Sequence, residues 1–140
     1  MININILYGS SCVGKSTFMN KNNDTYNKVE MDDCNYWVFK AAEWSNICIN
    51  YLIENIIDNL HKSNMIVTCG GLSLPNHPIY SQLEKEYSIK FIHTLILVKS
   101  RDKYKLYIKQ RKRAHIINKL LEDYKWREST PDLYDEIIWN

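Results

Sequence analysis

Glycine and proline are scarce in this chain of 140 residues, which holds four of the former and three of the latter. Arginine is scarce too, standing at Arg101, Arg111, Arg113 and Arg127, while isoleucine, asparagine, lysine and tyrosine are abundant. An AT-rich coding sequence produces that bias, so the lysines alone are discounted as a sign of function. Cys12, Cys34, Cys48 and Cys69 show neither a CxxC pair nor a Cys/His ligand spacing. That pattern speaks against a zinc site and fits reduced thiols in a cytosol. Nothing approaches the ~18 uninterrupted apolar residues of a membrane span, and no basic segment followed by a long apolar run opens the chain. The expectation is a cytoplasmic protein with no membrane partner. A net charge of +2 is too small to imply a nucleic-acid partner by itself. Internal repeats, low-complexity tracts and linkers are absent. What is present is ordinary globular composition, 45% hydrophobic and 24% charged, in a length that suits one domain over residues 1–140.

The most informative segment runs Gly9, Ser10, Ser11, Cys12, Val13, Gly14, Lys15, Ser16, Thr17, and it fits GxxxxGK[ST]. This motif is a phosphate-binding loop when a strand delivers it and a helix follows it. The apolar segment Ile2 to Tyr8 precedes it, and a helix is predicted from about Lys15 to Lys21. Backbone N–H groups from Gly9 to Thr17 would then wrap the phosphates of ATP at the positive end of the helix. Lys15 would reach the β- and γ-phosphates, and the Ser16 hydroxyl would ligate Mg²⁺.

Further elements alternate. Asn22 to Asp24 reads as a polar turn, and Lys28 to Met31 as a short strand ending in Asp32 and Asp33. From Glu43 to Lys62, the residues Trp44, Ile47, Cys48, Tyr51, Leu52, Ile56 and Leu60 recur at helical spacing. Asn64 to Cys69 reads as a third strand stopped by Gly70 and Gly71, and Pro75 and Pro78 introduce a helix through about Tyr87. Phe91 to Val98 is a fourth strand, Asp102 to about Tyr124 a long helix, and Glu136 to Trp139 a fifth strand. Strands alternating with helices imply a three-layer α/β sandwich around a parallel sheet.

With the loop, the element order and the size in hand, the chain resembles the small P-loop kinases. That group contains nucleotide, shikimate, gluconate and polynucleotide 5′-hydroxyl kinases. Gly9 to Thr17 is similar to the loop of guanylate kinases and of small-molecule phosphotransferases such as the chloramphenicol-modifying enzyme. Val29 to Asp33 is similar to the acidic end of strand two in hydroxyl kinases, where an Asp faces the acceptor. Ile66 to Gly71 resembles the strand-three ending of shikimate and gluconate kinases, and Tyr134 to Ile138 the last strand of guanylate-type kinases. The resemblance implies a P-loop NTPase fold with five parallel strands in the order 2-3-1-4-5. It also implies a mobile lid between strands four and five, near residues 105–128. Two departures qualify it. Thr68 and Cys69 stand where many relatives carry an acid, so magnesium must rely on Ser16, phosphate oxygens, waters and Asp32. No arginine precedes Arg101, which argues against a shikimate substrate. The absence of DxxG and NKxD sequences argues against a GTPase.

Phosphoryl transfer asks a protein mainly for positioning and charge neutralisation. Lys15 and the lid arginines Arg111 and Arg113 are the candidates for neutralisation, since the guanidinium fork suits phosphate, and Arg101 and Arg127 rank below them. Asp32 is the candidate for orienting an acceptor hydroxyl and taking its proton, because it stands where strand two reaches the carboxyl edge of the sheet. Asp33 points the other way, either to bind substrate or to cap the next helix. Gly70 and Gly71 either let the acceptor approach closely or form a plain turn. Tyr36 and Trp37 either stack on a base or sugar or belong to the core. Lys105, Lys109 and Lys112 share one face of the long helix, opposite a seam of Tyr107, Ala114, Ile117, Leu121 and Tyr124. His77, His93 and His115 have no catalytic or metal-binding spacing. The reading is an ATP- and Mg²⁺-dependent phosphotransferase whose favoured acceptor is a nucleoside or nucleotide. The alternatives are a nucleic-acid kinase, a sugar-acid or antibiotic kinase, and a non-catalytic nucleotide-binding module. The sequence assigns no oligomeric state.

Overall fold

A computed structural model describes residues 1–21, 26–59, 64–68 and 74–140. Five strands form one all-parallel sheet: β1 (Ile2–Tyr8), β2 (Asn27–Glu30), β3 (Met65–Thr68), β4 (Ile89–Leu97) and β5 (Glu136–Trp139). Their order across the sheet is β2-β3-β1-β4-β5. Ile4 to Leu7 of β1 lie opposite Met65 to Thr68 of β3, while Ile2 to Tyr8 lie opposite Ile89 to Leu95 of β4. Flanking the sheet are α1 (Lys15–Lys21), α2 (Trp44–Asn59), α3 (Pro78–Glu86), α4 (Arg101–Gln110) and α5 (Ile117–Glu128).

Burial follows strand position, since a central parallel strand is covered on both faces and must be apolar throughout. Ile6, Leu7 and Tyr8 are buried at the end of β1, whereas Asn3 and Asn5 are not. Asn5 is paired instead, its side-chain oxygen accepting the Thr94 hydroxyl at 2.9 Å. All four residues of β3 are buried. Cys48, Leu52 and Ile56 of α2 supply the helix stripe expected from their spacing. α3 starts at Pro78, and the His77 ring nitrogen Nδ1 accepts the Ile79 N–H at 3.2 Å, so His77 is a helix cap.

Three sequence expectations are corrected. The long helix from Asp102 to Tyr124 is two helices. α4 closes with a pair of backbone bonds, Arg113 N–H to Ile108 C=O at 2.9 Å and Lys112 N–H to Lys109 C=O at 3.0 Å, around Lys112 at φ 57°. This is the Schellman arrangement, in which the left-handed residue is usually glycine. Because Lys112 fills that position, no glycine marked the stop. The break also resets the helical phase. Tyr104 and Ile108 are the buried residues of α4, and Leu120, Tyr124 and Arg127 those of α5. Of the expected seam, Tyr124 is buried, Tyr107, Ile117 and Leu121 are half-buried and pack against the core, and only Ala114 is exposed. Second, β2 ends at Glu30, and Met31–Cys34 forms a 3-10 turn that carries Asp32 and Asp33. Third, the fourth strand is shifted toward the N-terminus, to Ile89–Leu97, and the third begins one residue later than expected, at Met65. Residues 22–24, the helix end expected at 60–62, Cys69, Gly70 and Gly71 lie outside the described residues.

Candidate active site

Parallel strands all present their carboxyl ends at one edge, and ligands of open α/β sheets bind there. At this edge the loop after β1 meets the turn after β2. Gly9 fits the loop for lack of a side chain, because a Cβ would lie 2.7 Å from the Val13 side chain and 2.9 Å from the Ile96 carbonyl oxygen. Gly14 has φ 99°, where side chains are strained, and its missing Cβ leaves room for the Asn140 amide. Cys12 holds a left-handed φ of 72° without being glycine. Val13 is fully buried, and the Phe18 N–H to Gly14 C=O bond at 2.9 Å opens α1.

Three tertiary contacts hold the loop in place. The Tyr104 hydroxyl donates to the Ser11 carbonyl at 2.8 Å, and its ring stacks on Tyr124 with centroids 4.7 Å apart. Burial pushes the Tyr104 phenol well above its ordinary pKa, so it stays a donor. The Asn140 amide donates to the Val13 carbonyl at 2.7 Å, while its backbone is tied to Leu97 and Lys99 at the end of β4. Finally, the Ser10 hydroxyl donates to Asp123 Oδ2 at 2.6 Å, and Arg127 Nε donates to that same oxygen at 3.0 Å. Ser10 and Arg127 are buried. The Lys15 ammonium folds over the loop and donates to the carbonyls of Gly9 and Ser10.

Three connected hollows surround the loop. An open cleft of about 330 Å³ is lined by Gly9, Ser11, Lys15 and Ser16 from the loop and by Glu30, Asp32, Tyr36 and Thr68 from the β2–β3 side. Lys119, Leu120, Asp123 and Arg127 of α5 complete it. A second hollow of about 220 Å³ brings Ser10 to Cys12 and Gly14 to Ser16 together with Asp32, Arg111 and Arg113. The third, of about 260 Å³, has Thr17, Lys21, Cys12 and Gly14 on one side and Tyr107, Gln110, Arg111 and Asn140 on the other.

Of the residues singled out in the sequence, Lys15, Ser16, Asp32, Arg111 and Arg113 thus converge on the loop. Trp37 does not line the cleft, and its neighbour Tyr36 does. Asp33 is exposed and outside the lining; its charge acts on Tyr51 of α2, where burial first and Asp33 second push the phenol pKa up. Residues that were not singled out are Glu30, Thr68, Lys119, Asp123 and Asn140, while Arg127 ranked below Arg111 and Arg113. Lys119, Asp123 and Arg127 recur at every fourth position, which places them on one helix face. That spacing was the available signal.

Among the described residues no group of three or more His, Cys, Asp and Glu side chains is placed to hold a metal. The cleft does gather hard oxygen donors at Ser16, Glu30, Asp32 and Thr68. That set fits Mg²⁺, which takes one or two carboxylates and completes its shell with water and phosphate.

No family model matches the chain, and no curated protein matches it in sequence. Among solved structures it is similar to a chain of the Pnkp1/Rnl/Hen1 RNA repair complex, with a TM-score of 0.63 and 18% identity. That match covers 95% of this chain and 47% of the other, so this chain spans about half the length of its relative. It is also similar to shikimate kinase from Bacteroides thetaiotaomicron, with a TM-score of 0.58 and 13% identity over 98% of this chain and 85% of the other. An uncharacterized protein from Eubacterium ventriosum matches with a TM-score of 0.61 and 17% identity over 99% and 88%. The chain has the P-loop kinase fold, with its five parallel strands in the order 2-3-1-4-5. No described helix is long and apolar enough to cross a membrane.

Proposed function

We propose that the chain is an ATP-dependent phosphotransferase of the P-loop kinase type, acting on a small acceptor, with a nucleoside or nucleotide favoured. The observation that carries this reading is the convergence of Lys15, Ser16 and Asp32 on one cleft. Loop N–H groups and Lys15 bind the phosphates of ATP, and Arg111 and Arg113 close over them from the turn after α4. Ser16 and Asp32 would hold Mg²⁺, which would supply neutralisation of phosphate charge when bound. The acceptor hydroxyl lies against Asp32. Its oxygen bonds to the γ-phosphorus as the bond from that phosphorus to the β-phosphate oxygen breaks. Its proton passes to the Asp32 carboxylate, and ADP leaves. The unit is a single cytoplasmic domain over residues 1–140, with residues 105–128 as its lid.

A second reading, a kinase acting on a nucleic-acid end, has specific support. Lys99 to Arg113 holds eight basic residues against one acid, and one similar structure belongs to an RNA repair complex. Labelled ATP incubated with nucleosides, nucleotides, sugar acids and oligonucleotides tests both. Lys15→Ala lowers the rate by about two to three orders of magnitude, by analogy with loss of a preorganised charge-stabilising group. Full turnover in that variant refutes the proposal, and ATP binding without transfer to any acceptor leaves a nucleotide-binding module.

A further inference from the structure

Three consecutive apolar side chains stand in solvent beside the cleft. Trp37 is 51% exposed, Val38 68% and Phe39 50%. A surface run of this kind marks an interaction site. It is also held in place. The Val38 N–H donates to Asn35 C=O and the Phe39 N–H to Tyr36 C=O, each at 3.2 Å, and the Trp44 indole N–H donates to Phe39 C=O at 3.0 Å. The run continues into the cleft through Tyr36, which is part of its wall. Edge-on contacts fix the Tyr36 ring between two indoles, Trp37 at 5.5 Å and Trp44 at 5.4 Å between centroids.

The neighbouring charges are Asp32, Asp33 and Glu43 against Lys40, all exposed. A partner attracted by charge alone would gain nothing from this mixture, whereas flat rings gain from stacking on aromatic faces. The cleft, at about 330 Å³, lies at the small end of ligand pockets, and with its Lys15 and Ser16 end given to phosphate it has room only for the reacting end of an acceptor. Trp37 and Phe39 lie beyond it. We propose that this aromatic run receives the unpaired bases that follow the acceptor nucleotide of a single-stranded nucleic acid. The terminal nucleotide then enters the cleft past Tyr36 toward Asp32. The inference rests on the phosphotransferase reading for the position of the reacting end. It places the strand along the β2 edge of the sheet and not along the basic face of α4. Stacking on an aromatic side chain contributes on the order of 5- to 150-fold in affinity per base. The cations near this path are Lys40, beside the run, and Lys119, in the α5 wall of the cleft. Phosphate contacts to both give affinity a logarithmic salt slope of about −1.4.

The test is equilibrium binding of oligothymidylates carrying a 3′ fluorophore and a free 5′ hydroxyl, from one to eight nucleotides. Affinity rises at least tenfold between one and four nucleotides and then levels off. The double variant Trp37→Ala with Phe39→Ala abolishes that rise, and Trp37→Phe keeps most of it. Unchanged binding of a non-hydrolysable ATP analogue shows that the double variant is folded. Affinity that does not depend on length overturns the inference. So does a length dependence that survives the double variant but is lost in Lys105→Glu with Lys109→Glu, which makes α4 the strand path. Self-association of the wild type, abolished by the double variant, assigns the run to a second copy of the chain instead. Turnover with labelled ATP is scored separately. Length-dependent, Trp37-dependent binding without turnover would sink the proposed activity and leave this surface standing. Turnover on a nucleoside without length dependence would do the reverse.

Discussion

Asp123 is the pivot between the phosphate loop and α5, and replacing it separates stability from nucleotide binding. Its Oδ2 accepts from the Ser10 hydroxyl at 2.6 Å and from Arg127 Nε at 3.0 Å. The Arg127 side chain is 11% exposed and that of Asp123 42%. A hydrogen bond to a charged group contributes about 1.5–3 kcal/mol, and the exposure of Asp123 reduces this to about 1–2 kcal/mol. Asp123→Asn keeps an acceptor and loses the charge, so it costs about 1 kcal/mol; Asp123→Ala loses both bonds and costs about 2 kcal/mol. For a domain of this length those losses lower Tm by roughly 3 and 7 °C. The effect on ATP has the opposite sign. A carboxylate hydrogen-bonded to Ser10 stands beside the N–H groups that receive phosphate. Removing a like charge beside bound phosphate relieves about 1 kcal/mol of repulsion, the value for two unit charges about 4 Å apart in water. The analogue then binds Asp123→Asn about fivefold more tightly than the wild type. Thermal melts by circular dichroism and calorimetric titration with a non-hydrolysable ATP analogue measure the two effects on the same samples. A variant that melts lower and also binds the analogue more weakly refutes the argument, because Asp123 would then be part of the nucleotide site and not a latch across it.

Three further outcomes follow from the geometry. Lys112→Gly relieves a left-handed side chain at the end of α4 and stabilises the protein by about 1 kcal/mol, read as a higher denaturant midpoint at unchanged slope. Gly14→Ala drives a methyl group into the Asn140 amide and abolishes tight nucleotide binding; adding Asn140→Ala recovers part of the lost Tm but not the binding, since φ 99° remains strained for alanine. His93 is held below its ordinary pKa, first by burial, with Asp135 and Glu84 acting in the opposite direction. Its depressed folded-state value means the unfolded chain takes up the proton first. Stability is therefore fully present above the unfolded value of about 6.5 and is lost as pH falls below it toward the folded value. Urea melts from pH 7.5 to 5 show that loss, and His93→Gln, which cannot titrate, shows a flatter profile.

The strands were legible because each interior strand of a parallel sheet must be apolar along its length, and such runs stand out between polar turns. β5 lies where its four residues predicted, and the carboxyl end of β1 is buried where Ile6, Leu7 and Tyr8 indicated. The helix break at 111–116 was illegible for a local reason. Its stop is built from two backbone bonds and a left-handed lysine, and neither leaves a mark in the side-chain pattern. Carrying one helical phase across that break put the exposed Ala114 into the expected seam, although Tyr107, Ile117, Leu121 and Tyr124 of that seam do pack against the core. Arg127 lies beyond the helix end expected near Tyr124, so nothing in the helical pattern showed that it turns inward with Leu120 and Tyr124.

The two halves of the site differ in legibility for a physical reason. The loop from Gly9 to Thr17 is a contiguous segment, and the phosphate binding proposed for it would be done by its own backbone, which demands glycines, a lysine and a hydroxyl at fixed spacing within nine consecutive residues. The opposite wall is assembled from the end of β2, the turn after it, the end of β3 and one face of α5. Each contributes one to four side chains, and none of those contributions requires a particular neighbour in sequence. Ser10 and Asp123 meet across 113 positions, a distance over which no periodicity carries information. Under the proposed function, the groups that would face an acceptor are thus set by tertiary packing, and substitutions there would change the acceptor without disturbing the loop motif. Swapping Tyr36 for leucine while keeping the loop intact applies that distinction directly. It raises the KM of an acceptor bearing a nucleobase several-fold and leaves that of ATP unchanged, whereas an equal rise in both would mean that the two walls are one cooperative unit.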